Sequence, residues 1–245
     1  MALVVVVPGP LPAAPSGQSA QQRLSASVVS ALRAVRGRVP STAQISVVDI
    51  DDIFATAPAS GAAAGVEEAV LRSRRQTAAR LVPRPREPED GGAVAAEARS
   101  LGRYLTEPKP RHEAQARVLG AVTPETRVVV GHGLGALVAY EGLCAAEDAS
   151  VTFVTFGAAM CGPAEVFNRL EPPPRDGQGQ WPPTVRRWFN IVAQGDPGAM
   201  TVPRLTDRFG PGIEDEIVEL RGDDAGIYSY LLDRSAGRAL SSGLD

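Results

Sequence analysis

The sequence contains little histidine and little cysteine, two residue types whose side chains often act as bases or nucleophiles. Its 245 residues include only two histidines and two cysteines. So few cysteines argue against a disulfide-stabilised scaffold and fit a reducing compartment. No stretch approaches the roughly 18 consecutive apolar residues of a membrane span, and the apolar run after Met1 lacks the basic flank and the length of a signal peptide. We therefore expect a soluble, cytoplasmic protein without a membrane span.

The sequence also lacks an excess of positive charge. Its net charge is -3, whereas a protein that binds nucleic acid usually shows a basic footprint. Hydrophobic residues make up 44% of the chain, which is enough for a sizeable core. A chain of this length is within reach of one large α/β domain, so we expect a single domain over residues 1–245 and no nucleic-acid partner.

Short apolar runs alternate with stretches of helical periodicity along the chain. The apolar runs predict strands at 2–7, 44–50, 127–130, 151–156, 188–193 and 216–220. The helical stretches lie at 24–35, 66–82, two between 93 and 122, 133–146, and from about 228 onward. A variable insert or loop is expected at about 51–93, and a surface loop rich in proline and glycine at 171–183. This alternation predicts an α/β fold with a mostly parallel central sheet and helices on both faces.

Several residues follow directly after the predicted strands. In a parallel sheet the ligand crevice lies at the carboxyl ends of the strands, so these residues should meet along one edge of the domain. They are Pro8, Asp51, Gly133, Gly157 and Asp196.

Residues 131–135 (GHGLG) form a glycine-rich corner between a predicted strand and a predicted helix, and three interpretations are open. The glycines could simply permit positive φ and close packing. They also match a dinucleotide motif, but that motif needs a carboxylate after the next strand, where 156–160 (FGAAM) has none. The third interpretation is a nucleophile elbow, G-x-S-x-G, in which glycine replaces the serine.

The third interpretation is accompanied by a family resemblance. The segment VVVGHGLGALVAYEGL resembles the nucleophile elbow of the α/β-hydrolase superfamily, in which a valine-rich strand leads into GHSLG and a helix. Further along, VTFVTFGAAMCGP, WPPTVRRWFNIVAQGDPGA and GIYSYLLDRSAGRAL resemble the next strand, the acid-bearing strand and loop, and the helix after the catalytic histidine of bacterial esterase- and lipase-like members. The resemblance runs from about residue 95 to the end and implies an α/β-hydrolase fold.

The resemblance also implies that the catalytic triad is degenerate. The nucleophile position is Gly133, which has no side chain, and the base position is Ala225 or Gly226, neither of which accepts a proton. The acid position is Asp196, although Asp196 is equally a turn residue in the sequence GDPG, and the two roles are compatible.

The oxyanion hole of such enzymes uses backbone N–H groups. The resemblance assigns one to Leu134, after the nucleophile position, and one to the loop after the first strand. That loop reads Pro8-Gly9-Pro10, and because proline has no N–H only Gly9 could donate there. Candidate pocket residues around this hole are Pro8, His132, Gly157 and Tyr228.

Other reactive side chains give weaker signals. We expect His132 to point away from the pocket in a packing or hydrogen-bonding role, and His112 to be a solvated helix residue. Cys161 follows a strand but has no histidine placed to activate it, so buried packing is the expected role. Asp49, Asp51 and Asp52 match no calcium loop and are expected to be loop and cap residues. The arginines between 72 and 86 suit a solvated helix face or, less well, a docking patch.

The sequence thus predicts a catalytically inactive hydrolase-fold protein, a pseudoenzyme that binds a small molecule or a partner protein. We expect no serine esterase or lipase chemistry, no metal and no cofactor. Two alternatives remain open: a serine-independent enzyme of isomerase- or cyclase-like acid–base chemistry, or with residual hydrolase activity, in the same pocket, and a structural subunit whose pocket is filled.

Overall fold

Six strands form one sheet, and every neighbouring pair in it runs parallel. The computed structural model describes residues 1–9, 11, 18–35, 38–54, 60–81, 91–158, 160, 162–194, 196, 204–220 and 226–245. The strands are β1 (Val4–Val7), β2 (Ile45–Val47), β3 (Val128–His132), β4 (Val151–Phe156), β5 (Val185–Ala193) and β6 (Ile213–Val218). Their order is β2-β1-β3-β4-β5-β6, which reverses direction between β1 and β3. A reversal of this kind creates a crevice at the carboxyl ends of the strands.

Ten α-helices lie within the described residues. They are α1 (Ala20–Ala34), α2 (Asp51–Phe54), α3 (Gly61–Leu81), α4 (Gly91–Thr106), α5 (Pro108–Ala121), α6 (Leu134–Ala145), α7 (Ala164–Phe167), α8 (Leu205–Phe209), α9 (Ile227–Leu232) and α10 (Arg234–Leu244). The expected insert at 51–93 therefore contains α2, α3 and the start of α4. Pro108 is the first residue of α5, a position at which the missing backbone N–H of proline has no helical partner to lose.

Alternate residues of the strands enter two separate hydrophobic cores, one on each face of the sheet. In β1, Val4 and Val6 face α1, α9 and α10, whereas Val5 and Val7 face the layer that contains α2 to α6. All four of these valines are fully buried. Burial on both faces is what a continuous valine run predicts. The prediction of a parallel sheet covered by helices on both faces is confirmed.

The loop at 171–183 lies mostly on the surface, as its composition predicts, but its second half is anchored. The hydroxyl of Tyr140 donates to the carbonyl of Gln180 at 2.9 Å, and the indole N–H of Trp181 donates to the carbonyl of Val185 at 2.7 Å. The first bond holds the loop against α6, and the second holds it against the start of β5.

One buried carboxylate joins α4, α5 and α6. Glu141 of α6 has a fully buried side chain, and its Oε2 accepts hydrogen bonds from the Tyr104 hydroxyl (2.6 Å), Arg111 Nε (3.0 Å) and Gln115 Nε2 (2.8 Å). Its Oε1 accepts from the backbone N–H of Glu171 at 2.9 Å. Because Tyr104 belongs to α4, this network fixes how α4 lies on α6.

Replacing Glu141 by alanine should therefore weaken the fold strongly. The Arg111 guanidinium would lose its buried partner and keep only the half-exposed carboxylate of Glu171 at 3.1 Å, and breaking a buried pair in this way costs ~3–5 kcal/mol. We expect a loss of that size in the free energy of unfolding, measured by urea denaturation. The control, Glu147→Ala, removes an exposed carboxylate just beyond α6 and should change stability by less than about 0.5 kcal/mol. Equal effects of the two substitutions would contradict the structural role of the network.

Candidate functional site

A tight turn joins β3 to α6, and its glycines are required by close approaches of the backbone. A Cβ on Gly131 would overlap the backbone of Ala136, and a Cβ on Gly135 would overlap the carbonyls of Val7 and Pro8. Gly133, at the centre of the turn, has φ 54° and ψ -124°, a conformation that L side chains rarely adopt. The turn therefore lies directly against the end of β1, at the reversal point of the sheet.

The space beside Gly133 is taken by the carboxylate of Glu97, which extends from α4. A Cβ built on Gly133 would overlap Glu97 Oε1, so any side chain at position 133 would require Glu97 to move. The backbone N–H of Leu134, at the first position of α6, donates a hydrogen bond to the same carboxylate. A negative charge thus lies at the positive end of the α6 helix dipole.

Arg74 of α3 completes this arrangement. Its Nη2 donates to Glu97 Oε2 at 2.8 Å. The Arg74 side chain is 14% exposed and that of Glu97 is 22% exposed, so this ion pair lies largely out of water but still borders solvent. We call Arg74, Glu97 and the Leu134 N–H the Glu97 site.

The surroundings lower the pKa of Glu97. Burial alone would raise the pKa, because it penalises the charged carboxylate. The charge and hydrogen bond of Arg74, the nearby His132 and the hydrogen bond from Leu134 outweigh that effect, and the net result is a pKa below the ordinary value. Glu97 is therefore ionised at neutral pH.

The loop after β1 and the ring of His132 lie beside the same turn. A Cβ on Gly9 would be 3.0 Å from the carbonyl oxygen of His132 and 3.7 Å from the Leu134 nitrogen. The His132 ring centroid is 5.9 Å from that of Tyr230, and His132 interacts electrostatically with Glu97. The His132 ring therefore lies beside the first loop and the Tyr230 ring of α9, within electrostatic range of Glu97 of α4.

Asp196 lies near the end of β5 and contacts a tyrosine of α9. The Tyr230 hydroxyl donates to Asp196 Oδ2 at 3.4 Å and accepts from the backbone N–H of Ala193 at 2.9 Å. Gly157 has φ 55°, and a Cβ there would be 3.3 Å from both the Asp196 and Tyr230 oxygens. Burial, followed by the charge of Asp196, raises the pKa of Tyr230 above its ordinary value, so this hydroxyl remains protonated.

The structure places the remaining candidates elsewhere. Tyr228 packs its ring against the guanidinium of Arg23, with 3.9 Å between the guanidinium carbon and the ring centroid. His112 is exposed on α5, as expected. Gly226 is the residue that precedes α9, whereas Ala225 and Cys161 lie outside the described residues.

The acidic residues after β2 are held by other parts of the chain. Asp51 accepts from the backbone N–H of Leu11 at 3.2 Å, and burial raises its pKa. Asp52 forms an ion pair with Arg117, whose hydrogen bond lowers the pKa of Asp52. Across the ranges that the structure covers, no group of three His, Cys, Asp or Glu residues is placed to hold a metal ion. Within the same ranges, no helix is both long and apolar enough to traverse a bilayer.

Sequence reasoning did not identify Glu97, Arg74 or Tyr230 as site residues. The one signal for Glu97 was its position in the helix pattern. It shares a helical face with Leu101 and Tyr104, both buried, at spacings of four and seven residues. A carboxylate on the apolar face of a helix needs a partner, and here the partners are Arg74 and Leu134.

Comparisons with models of known protein families, with curated proteins and with solved structures find no match. The residues around the turn at Gly133 therefore provide the basis for a functional inference.

The lowered pKa of Glu97 predicts a pH-dependent contribution to stability. The folded protein binds this proton more weakly than the unfolded chain, whose glutamates have a pKa of about 4.3. The stabilisation is therefore present above that pH and is lost as the pH falls through the folded-state pKa. Wild type should be more stable than Glu97→Gln at neutral pH, and the difference should shrink below about pH 4 in urea denaturation.

The matched control for this titration is Glu68→Gln on α3, which alters an exposed carboxylate paired with Arg72. Its difference from wild type should stay small at every pH, as expected for a surface ion pair. A Glu97→Gln difference that does not vary between about pH 7 and pH 3 would contradict the ionised state of Glu97.

Proposed function

We propose that the protein is a catalytically inactive member of the α/β-hydrolase superfamily, a pseudoenzyme that acts by binding a ligand or a partner protein. The sequence resemblance from about residue 95 onward supports the family assignment. A parallel sheet with a strained strand–turn–helix at Gly133 also supports it, because the nucleophile elbow is a turn of this kind.

The observation that carries the proposal is the position of Glu97. In a serine hydrolase the nucleophile projects from the centre of the elbow, and the next backbone N–H stabilises the oxyanion. Here Gly133 has no side chain, the Glu97 carboxylate fills the adjacent space, and Leu134 N–H already donates to that carboxylate. A fixed negative charge beside a developing oxyanion raises the barrier of acyl transfer.

The acid–base groups of the site also fit poorly with hydrolysis. A general base works best with a pKa near the operating pH. The pKa of Tyr230 lies above its ordinary value, and that of Glu97 lies below its ordinary value. At neutral pH Tyr230 is therefore a donor to Asp196, and Glu97 is a weak base held by Arg74.

A second candidate is serine-independent acid–base chemistry at the same turn. The observation in its favour is the grouping of Glu97, His132, Tyr230 and Asp196 around Gly133 and Gly157. Such a site could move a proton without a covalent intermediate. The third possibility, a structural subunit, is favoured by the occupied space beside Gly133.

The proposal predicts no turnover of p-nitrophenyl acetate, butyrate or octanoate above the buffer rate, and no labelling by a fluorophosphonate probe. The double variant Gly133→Ser/Glu97→Ala supplies a hydroxyl and space for it, but still has no base at the family position. We expect it to remain inactive as well. The readouts are p-nitrophenolate absorbance and intact-protein mass.

Wild-type turnover that disappears in Asp196→Asn or Glu97→Ala but persists in the surface control Glu68→Ala would overturn the pseudoenzyme proposal. That result would favour the serine-independent enzyme. Labelling of wild type by the fluorophosphonate would overturn it in another way, by identifying an unexpected nucleophile.

A further inference from the structure

We infer that the outer edge of β2 is a strand-pairing surface for a second copy of this chain, and that the side chain of Gln21 holds this surface closed. Strand β2 is the first strand in the order of the sheet, and within the described residues it pairs only with β1. Self-association through β2 does not depend on what the residues around Gly133 bind or catalyse.

The backbone of β2 presents a hydrogen-bond donor and an acceptor away from the sheet. The carbonyl of Gln44 and the N–H of Val48 each form a 2.8 Å hydrogen bond on the β1 side. Because the direction of the backbone groups alternates along a strand, the groups of Ile45 and Val47 point outward. The Ile45 N–H already donates to the carbonyl of Thr42. The Ile45 carbonyl and the Val47 N–H are therefore the pair that a further strand would bind.

The side-chain amide of Gln21 binds both of these groups. Its Nε2 donates to the carbonyl of Ile45 at 3.0 Å, and its Oε1 accepts from the N–H of Val47 at 3.0 Å. A side-chain amide offers N–H donors and a carbonyl acceptor side by side, as a peptide group does. Gln21 is the second residue of α1, whose start is fixed by a capping box at Ser19. Gln21 thus takes the place of a neighbouring strand.

The absence of charge along this edge favours a second copy as the occupant. A two-fold axis brings equal patches of the two copies together, so charges of one sign on such an edge would repel each other. Residues 40–48 and 18–22 contain no Asp, Glu, Lys or Arg. The edge strand β6 instead carries three consecutive acidic residues at 214–216, which oppose pairing with a copy of itself.

The geometry of an antiparallel pair gives the register. With the two-fold axis at Ser46, Ile45 of one copy lies opposite Val47 of the other. The Val47 N–H of each copy then donates to the Ile45 carbonyl of the other copy, so pairing uses the same two groups that Gln21 binds. Because Gln21 belongs to the same chain, it competes at a high effective concentration and keeps the edge closed in wild type.

Disulfide trapping at the two-fold axis tests both the closure and the register. Ser46→Cys is combined with Cys144→Ser and Cys161→Ser, so that the only thiol lies at the axis. The Cα atoms of such a non-hydrogen-bonded pair are ~4.5 Å apart, a distance that a disulfide spans. With Gln21→Ala added, we expect diamide to form the covalent dimer at least about tenfold faster, because the edge groups are no longer occupied. The readout is intact-protein mass over time.

Three matched variants of the same protein serve as controls. Gln76→Ala removes an exposed glutamine of α3 and should leave the rate unchanged. Val47→Pro added to Gln21→Ala should abolish the gain, because proline is tolerated on an edge strand but has no N–H to donate. Gln21→Glu places like charges on the two sides of the axis, so its rate should not exceed that of the protein with Gln21.

Equal rates with Gln21 and with Gln21→Ala would overturn the inference, because Gln21 would then close nothing. An absence of covalent dimer in folded Gln21→Ala would overturn it too, as would a gain that survives Val47→Pro. Alanine is the best helix former, so α1 should persist in Gln21→Ala. If that variant does not fold, Gln21→Ser has a side chain that is likewise too short to reach β2 and provides the same test.

Discussion

In this protein the carboxylate of Glu97 and a side chain at position 133 cannot occupy the same space. The backbone of Gly133 has positive φ, and Glu97 Oε1 lies where a Cβ would be. The same carboxylate accepts a hydrogen bond from the Leu134 N–H and forms an ion pair with Arg74. It therefore joins α3 and α4 to the start of α6, which follows directly after β3. The absence of a side chain at position 133 and the position of the Glu97 carboxylate are thus one structural fact, because the glycine makes room for the glutamate.

Glu97 reaches this position because α4 is fixed on α6 at a second point. Tyr104 binds Glu141, and Glu97 binds Leu134. Positions 97 and 104 of α4 are seven residues apart, and so are positions 134 and 141 of α6. Seven residues span about 10.5 Å along a helix. The two helices therefore point the same way, with a buried carboxylate interaction at each end of the shared segment.

The sequence predicted the sheet well because buried parallel strands are continuous apolar runs. Residues 151–156 were predicted as a strand and are β4, and the valine run before Pro8 is β1. Boundaries were less accurate where capping decides them. The last helix is divided at Asp233, whose side chain caps α10, and α3 begins at Gly61, earlier than its periodicity indicates. The site was predicted only where it is local in sequence, at the glycines of the turn. Arg74, Glu97 and Tyr230 come from distant elements, and their contacts depend on how α3, α4 and α9 pack, which no short motif records.

The most direct test of the account is an NMR pH titration that follows the side-chain carboxyl carbon of Glu97 and the backbone amide proton of Leu134 together. A carboxylate held by Arg74 and Leu134 should titrate below about 4.3, and the Leu134 amide should shift with the same midpoint. A Glu97 carboxyl that titrates at the ordinary glutamate value, with a Leu134 amide that does not respond, would contradict the account.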